Sequence, residues 1–147
     1  MQTTINKDMA YGVPGTHGNG QPYFADPYIA GADVTMGGVA AINTDGMAVP
    51  YSATASTPVG IFVNPNEHVR MVLPSDEHTL VVAAGSTVAI AKKGAWYVAV
   101  PAGDAANWVK GAKLAYDSSA YALKVDASGT VAEILGTDGG IALIRFL

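Results

Sequence analysis

The residues best suited to chemistry surround one predicted turn in the middle of the chain. Two imidazoles and three carboxylates lie between residues 67 and 78: His68, His78, Glu67, Asp76 and Glu77. Two strands of a hairpin could bring these groups together, and imidazole with carboxylate is a common ligand set for divalent metals. Their spacing, however, matches no known metal-site signature. We therefore expect solvated side chains at a polar hairpin end, with no bound metal and no cofactor.

The same turn contains the three residue types of a catalytic triad, Ser75, Asp76 and His78. Neighbouring positions cannot hold nucleophile, base and orienting acid in line without a specialised turn. The glycine-containing stretches at residues 12–15 and 18–20 are not phosphate-binding loops, because no lysine follows them and no helix is predicted to begin there. We find no catalytic residues and predict that the protein is not an enzyme.

Short β-strands are the elements that would position any such site. From Leu80 to Val100, aliphatic residues alternate with small ones, and breaks occur at Gly85–Ser86 and at residues 92–94. Glycine adopts positive φ without steric cost, and paired lysines keep a hairpin tip solvated and discourage edge pairing. This stretch predicts a meander of three strands joined by two turns.

The rest of the chain shows the same pattern of short predicted strands separated by turns. Asp45–Gly46 favours a tight hairpin turn, and turn signals recur about every 8–12 residues, as in sandwiches and barrels. Residues 141–147 are apolar on both faces, so we expect this strand to lie centrally in a sheet or beneath a partner. Only residues 102–107 favour a short helical turn. We predict an all-β fold, a small β-sandwich or barrel of short antiparallel strands with an extended N-terminal arm.

The first 28 residues differ from everything that follows. They contain three prolines and four glycines and show no sustained strand or helix period. A flexible N-terminus is the ordinary interpretation of such a segment. Its aromatic content is too high for a solvated tail, and favours an extended arm ordered against another surface. We therefore divide the chain into an arm, residues 1–28, and a β-domain, residues 29–147.

The composition excludes several classes of function. The 147 residues carry a net charge of −4, and no basic stripe suited to nucleic acid is present. No apolar run approaches the ~18 residues of a membrane span, and no targeting segment is evident, so we expect synthesis in a cytoplasm and no membrane partner. Zero cysteines exclude disulfides and thiolate metal sites. Only 14% of the residues are charged, against about 25% on average, which indicates a surface partly covered by a partner.

The opening sequence MQTTINKDMAYGVPG resembles the N-terminus of the tailed-bacteriophage structural cement proteins, also called capsid decoration proteins. The match consists of a Met-Gln-Thr start, a short spacer and then Gly12-x-Pro14-Gly15. The residue patterns of four later segments also resemble the family: Val59–Phe62, Gly85–Ile90, Trp96–Val98 and Gly140–Ile144. The resemblance therefore covers nearly the whole chain.

The resemblance implies a small all-β protein on the outer surface of a mature phage head, made in the host cytoplasm. Its expected partners are the major capsid protein, whose subunits it would bridge, and further copies of itself in a homodimer or homotrimer. Neither nucleic acid nor a membrane is an expected partner, and the family's members are not enzymes. The arm residues expected at the capsid or oligomer interface are Tyr11, Pro14, Tyr23, Phe24 and Tyr28.

Two other functions stay open at this point. A carbohydrate- or host-surface-binding β-sandwich could use a stacking platform made of Trp96, Tyr97, Trp108 and Tyr116. A small hydrolase of unfamiliar type is the other alternative, although no residue argues for it. A cement protein would bind expanded empty heads, whereas a lectin would bind glycans on an array. The two measurements therefore distinguish these functions.

Overall fold

The computed structural model describes residues 14–15, 24–63, 72–73 and 81–147. Within these residues, the regular structure is β-strand apart from one 3-10 turn at Ala105–Asn107, which confirms the all-β prediction and the predicted position of the helical turn. The strands are Phe24–Ile29 (β1), Val34–Thr35 (β2), Val39–Ile42 (β3), Ala48–Pro50 (β4), Pro58–Val63 (β5), Val72–Leu73 (β6), Val81–Val82 (β7), Thr87–Lys93 (β8), Ala95–Ala99 (β9), Lys113–Asp117 (β10), Ala122–Val125 (β11), Ala132–Asp138 (β12) and Ile141–Phe146 (β13).

These strands form three antiparallel sheets. Sheet I has the order β1-β8-β5-β3-β4, sheet II has the order β11-β10-β12-β13-β9, and the small sheet III has the order β2-β7-β6. In sheet II, β13 pairs with β12 on one side and with β9 on the other. The prediction of a central position for the apolar last strand is therefore confirmed.

Sheet I is the middle layer because its inner strands are apolar on both faces. Successive side chains of a strand point to opposite faces. In β5, Ile61 and Val63 enter a core shared with Trp96 of sheet II, whereas Phe62 enters a second core shared with Val82 of sheet III. The result is a sandwich of sheets I and II, with sheet III covering the far face of sheet I.

Gly60 allows β5 and β8 to lie unusually close together. It has a φ of +157°, and a Cβ atom built on it would collide with the carbonyl oxygen of Ala91 and lie 2.7 Å from Cγ2 of Ile90. Both of those residues belong to β8, the neighbouring strand. No other amino acid fits at position 60 without moving one of the two strands.

The predicted three-strand meander between Leu80 and Val100 is wrong. Its strands form as expected, but β7 belongs to sheet III, β8 to sheet I and β9 to sheet II. Gly94 is the single residue between β8 and β9, and its φ of +99° allows the chain to leave one sheet and enter the other. The two strands do not pair because they lie in different sheets, and side chains of both, such as Ala91 and Trp96, enter the core shared by sheets I and II.

The hairpin turn predicted at Asp45–Gly46 is confirmed between β3 and β4. The side-chain oxygen Oδ1 of Asn43 accepts hydrogen bonds from the backbone N–H groups of Asp45, at 3.0 Å, and of Met47, at 2.9 Å. Gly46 supplies the positive φ of +78° that such a turn requires. The Asn43 side chain and the backbone conformation of Gly46 therefore stabilise the turn.

Candidate functional site

The arm residues Pro14 and Gly15 are buried against the β-domain of the same chain. The backbone N–H of Gly15 donates a hydrogen bond of 2.7 Å to the carbonyl oxygen of Tyr97. Tyr97 lies in β9, which is an edge strand of sheet II. This contact attaches the arm to the edge of the sandwich.

Pro14 and Gly15 also pack closely against the turn between β2 and β3. A Cβ atom on Gly15 would lie 2.7 Å from Cβ of Met36, and a Cβ atom on Gly37 would lie 2.7 Å from Cβ of Pro14. Both glycines have positive φ, +86° and +85°, so neither position readily accepts a side chain. The arm and the turn can approach each other closely because neither glycine has a side chain.

The turn that receives Pro14 is itself fixed to sheet I. The N–H of Gly37 donates to the carbonyl oxygen of Phe62 at 2.7 Å, and the N–H of Phe62 donates to that of Gly38 at 2.9 Å. We call the contact region formed by Pro14, Gly15, Met36, Gly37 and Tyr97 the arm dock. Through it, one point of the arm is joined to both large sheets.

The other arm residues predicted at the interface are placed as follows. Tyr11 and Tyr23 lie outside the described residues. Phe24 begins β1 opposite Lys93, and Tyr28 lies in the same strand opposite Val88. Residues 24–28, assigned to the arm from sequence, thus lie within the edge strand β1 of sheet I, and the half-buried Tyr28 packs against the second core.

Sequence reasoning singled out Pro14 as a capsid or oligomer interface residue and did not predict that Pro14 and Gly15 pack against Met36 and Gly37 of the same chain. The only signal was the glycine pair at positions 37 and 38, which marks a turn without naming what packs against it. No sequence pattern indicated that the carbonyl oxygen of Tyr97 would receive the arm.

Residues 67, 68 and 75–78, the candidate metal ligands and triad, lie outside the described residues. In the part of the chain that the structure describes, no three histidine, cysteine or acidic side chains are grouped to hold a metal ion. No polar or charged side chain is buried there either. The described residues also contain no helix long and apolar enough to cross a membrane.

Two partly exposed carboxylates, Asp117 and Asp126, serve as turn caps at the two ends of β11. Hydrogen bonds from the Ser119 hydroxyl and backbone N–H hold the pKa of Asp117 below its usual value. The backbone N–H and hydroxyl of Ser128 do the same for the pKa of Asp126. Each carboxylate therefore stabilises a local turn.

The aromatic platform of the carbohydrate-binding alternative is not formed. Trp96 is 0% exposed and Trp108 is 2% exposed, and both belong to the core between sheets I and II. The indole N–H of Trp96 donates to the carbonyl oxygen of Lys93, and that of Trp108 donates to the carboxylate of Asp104. Tyr116 packs at the edge of the same core, and burial raises its pKa. The two indole faces are therefore closed to a stacking sugar.

Comparisons with known proteins support one family assignment. No curated protein matches the chain. A family model described as structural cement protein (E217 gp24/Pam3 gp6) matches residues 1–147, the entire sequence. Because the match spans arm and β-domain together, it agrees with the resemblance noted at the N-terminus. The chain belongs to this family of phage structural cement proteins.

Proposed function

We propose that this protein binds the outer surface of an assembled bacteriophage head and bridges neighbouring major capsid protein subunits. Membership of a structural cement family supports a role in the virion. We further propose that the protein acts as a homodimer or homotrimer, is made in the host cytoplasm, and performs no catalysis. Its role would then be mechanical, raising the temperature or force at which the head fails.

The arm dock is the observation that favours bridging. A protein that joins two bodies transmits load only if its two attachment surfaces are firmly connected. The Gly15–Tyr97 hydrogen bond and the packing of Pro14 on Gly37 supply that connection between the arm and the rigid sandwich. We therefore assign Pro14 to the connection and keep Tyr11, Tyr23, Phe24 and Tyr28 as proposed interface anchors.

Weak individual contacts are sufficient for this function. A ligand that binds the assembled state in preference to the dissociated one stabilises assembly by mass action. Repetition over a lattice raises the effective concentration of each later contact. Buried aromatic side chains carry a disproportionate share of interface energy, which is why the four aromatic anchors are expected to dominate.

The direct test is to heat phage heads that lack the protein and heads to which it has been added. We expect decorated heads to release their genome at a higher temperature. An equal release temperature for both would exclude cementing. A glycan array probed with the free protein then tests the host-binding alternative, for which the buried indoles leave no platform.

A further inference from the structure

A shallow, open groove lies between the edge strand β1 and the turn that joins β3 to β4, with a volume of about 530 Å³. Two of the five exposed large hydrophobic side chains among the described residues line it, Ile29 at 50% and Met47 at 38% exposure. Contiguous exposed apolar surface on a soluble domain is a common sign of an interaction site. We call this region the β1 groove.

The walls of the groove are well ordered by contacts already in place. Asn43 holds the backbone of Asp45 and Met47 through its side-chain oxygen. On the other wall, Ile29 pairs with Thr87 of β8. A Cβ atom on Gly31 would lie 3.0 Å from Cβ of Met47, so the chain leaving β1 packs directly beneath the turn. The groove is thus formed before any partner arrives.

The charged side chains of the segment that supplies most of the groove's lining residues are all acidic. Residues 24–63 contain no lysine, arginine or histidine, and their only charged side chains are Asp26, Asp33 and Asp45. Asp33 accepts a hydrogen bond from the N–H of Ala84, whereas the exposed Asp45 lines the groove.

The nearest basic residues along sheet I lie at the other end of β1. Lys93 is opposite Phe24, and the groove residue Ile29 is five positions further on, about 17 Å at strand spacing. A partner's cation at Asp45 would therefore meet no competing lysine from β8.

We propose that the β1 groove receives a capsid-lattice segment that presents an apolar side chain beside a lysine or arginine. The apolar side chain would fill the space between Ile29 and Met47, and the cation would face Asp45. This inference rests on the proposed function and names the surface used by it. A second copy related by a two-fold axis fits less well, because such a self-complementary contact through this groove would bring two Asp45 carboxylates together.

The test measures binding to expanded empty heads. Met47→Gln keeps side-chain length but removes the apolar contact, and Asp45→Lys reverses the charge. We expect each to weaken binding by about tenfold or more, with the Asp45→Lys loss shrinking at high salt because exposed charges are screened. Matched controls are Val109→Gln, at an exposed apolar residue elsewhere, and Asp138→Lys, at an exposed carboxylate of β12. Both controls should bind within about twofold of wild type, as surface substitutions away from a contact do.

The outcomes separate this inference from the proposed function. If wild type fails to bind heads, the proposed function is wrong. If wild type binds and both groove variants bind equally well, the function stands and the groove assignment is overturned. If Met47→Gln changes self-association but leaves head binding intact, a second copy occupies the groove and the proposal is also overturned. Asp45→Asn, on an exposed turn, provides a milder substitution should the reversed charge impair folding.

Discussion

The backbone N–H of Gly15 and the carbonyl oxygen of Tyr97 form a 2.7 Å hydrogen bond that attaches the arm to the edge of sheet II. Gly15→Ala should break this attachment, because its Cβ atom would lie 2.7 Å from Cβ of Met36. We expect faster hydrogen exchange at position 15 and weaker stabilisation of heads, with the β-domain still folded. Hydrogen exchange with mass spectrometry and the genome-release temperature measure the two effects.

Gly85→Ala is the matched control for that substitution. Gly85 has nearly the same φ, +87°, but nothing lies within 4 Å of a Cβ atom built on it. Both variants bear the backbone strain of a non-glycine residue at positive φ, roughly 1 kcal/mol or more. Equal loss of head stabilisation in the two variants would show that strain alone, and not the dock, is responsible.

Gly60→Ala tests the close approach of β5 and β8. The added methyl group would collide with the carbonyl oxygen of Ala91 in the middle of sheet I. We expect the free energy of unfolding to fall by about 3 kcal/mol, as for other severe overpacking. Urea unfolding monitored by tryptophan fluorescence measures this loss, with Gly111→Ala as the control at an open positive-φ position. A Gly60→Ala midpoint matching that of Gly111→Ala would contradict the tight packing.

The turns capped by Asp117 and Asp126 should make stability depend on acid pH. Both folded pKa values are lowered by the serine hydrogen bonds, so the ionised carboxylates favour the folded state above the unfolded value of 3.8. This contribution is lost as pH falls through the folded pKa values. Removing the hydroxyl donors in a Ser119→Ala, Ser128→Ala double variant should lower the urea midpoint at neutral pH and flatten the decline in acid.

Ser118→Ala provides the control for the double variant. Ser118 lies beside Ser119 in the same exposed turn but makes no hydrogen bond to the Asp117 carboxylate. Its substitution should leave the pH profile of the urea midpoint unchanged. If the double variant and Ser118→Ala share one profile, the serine hydrogen bonds do not set the acid dependence.

Phe24→Ala tests the proposed aromatic anchors. If Phe24 is an interface hot spot, truncation should cost about 2 kcal/mol or more of head binding, and almost nothing if it is exposed in the complex. Heads without protein, with wild type and with Phe24→Ala should be heated in parallel. Thermal unfolding of the free variant separates an interface effect from a folding effect, because Phe24 begins a strand of sheet I.

We predict no metal requirement for residues 67–78, which the sequence predicts to form a polar hairpin end. Single changes of Glu67, His68 or His78 to alanine should alter head binding by no more than about 0.5 kcal/mol, as is usual for surface substitutions. Affinity measured with and without a chelator checks this. A stoichiometric metal in the purified protein, or loss of binding on chelation, would refute it.

Local sequence determined where most strands and turns occur. The Asp45–Gly46 turn forms because the residues that tolerate its backbone angles, and the Asn43 side chain that caps it, lie within five positions of one another. The apolar last strand required a position between two neighbours because neither of its faces suits solvent. The N-terminal Gly12-x-Pro14-Gly15 pattern indicated the family, which the match over residues 1–147 then established.

Only the tertiary structure decided which strands pair and what Pro14 contacts. The segments that form β7, β8 and β9 look like one meander, yet they enter three sheets. Pro14 looks like a free anchor in the sequence, yet it packs on Gly37. Backbone hydrogen-bonding groups are the same in every strand, so they do not select partners. Selection depends on the apolar area buried by the whole chain, a quantity that no local pattern contains.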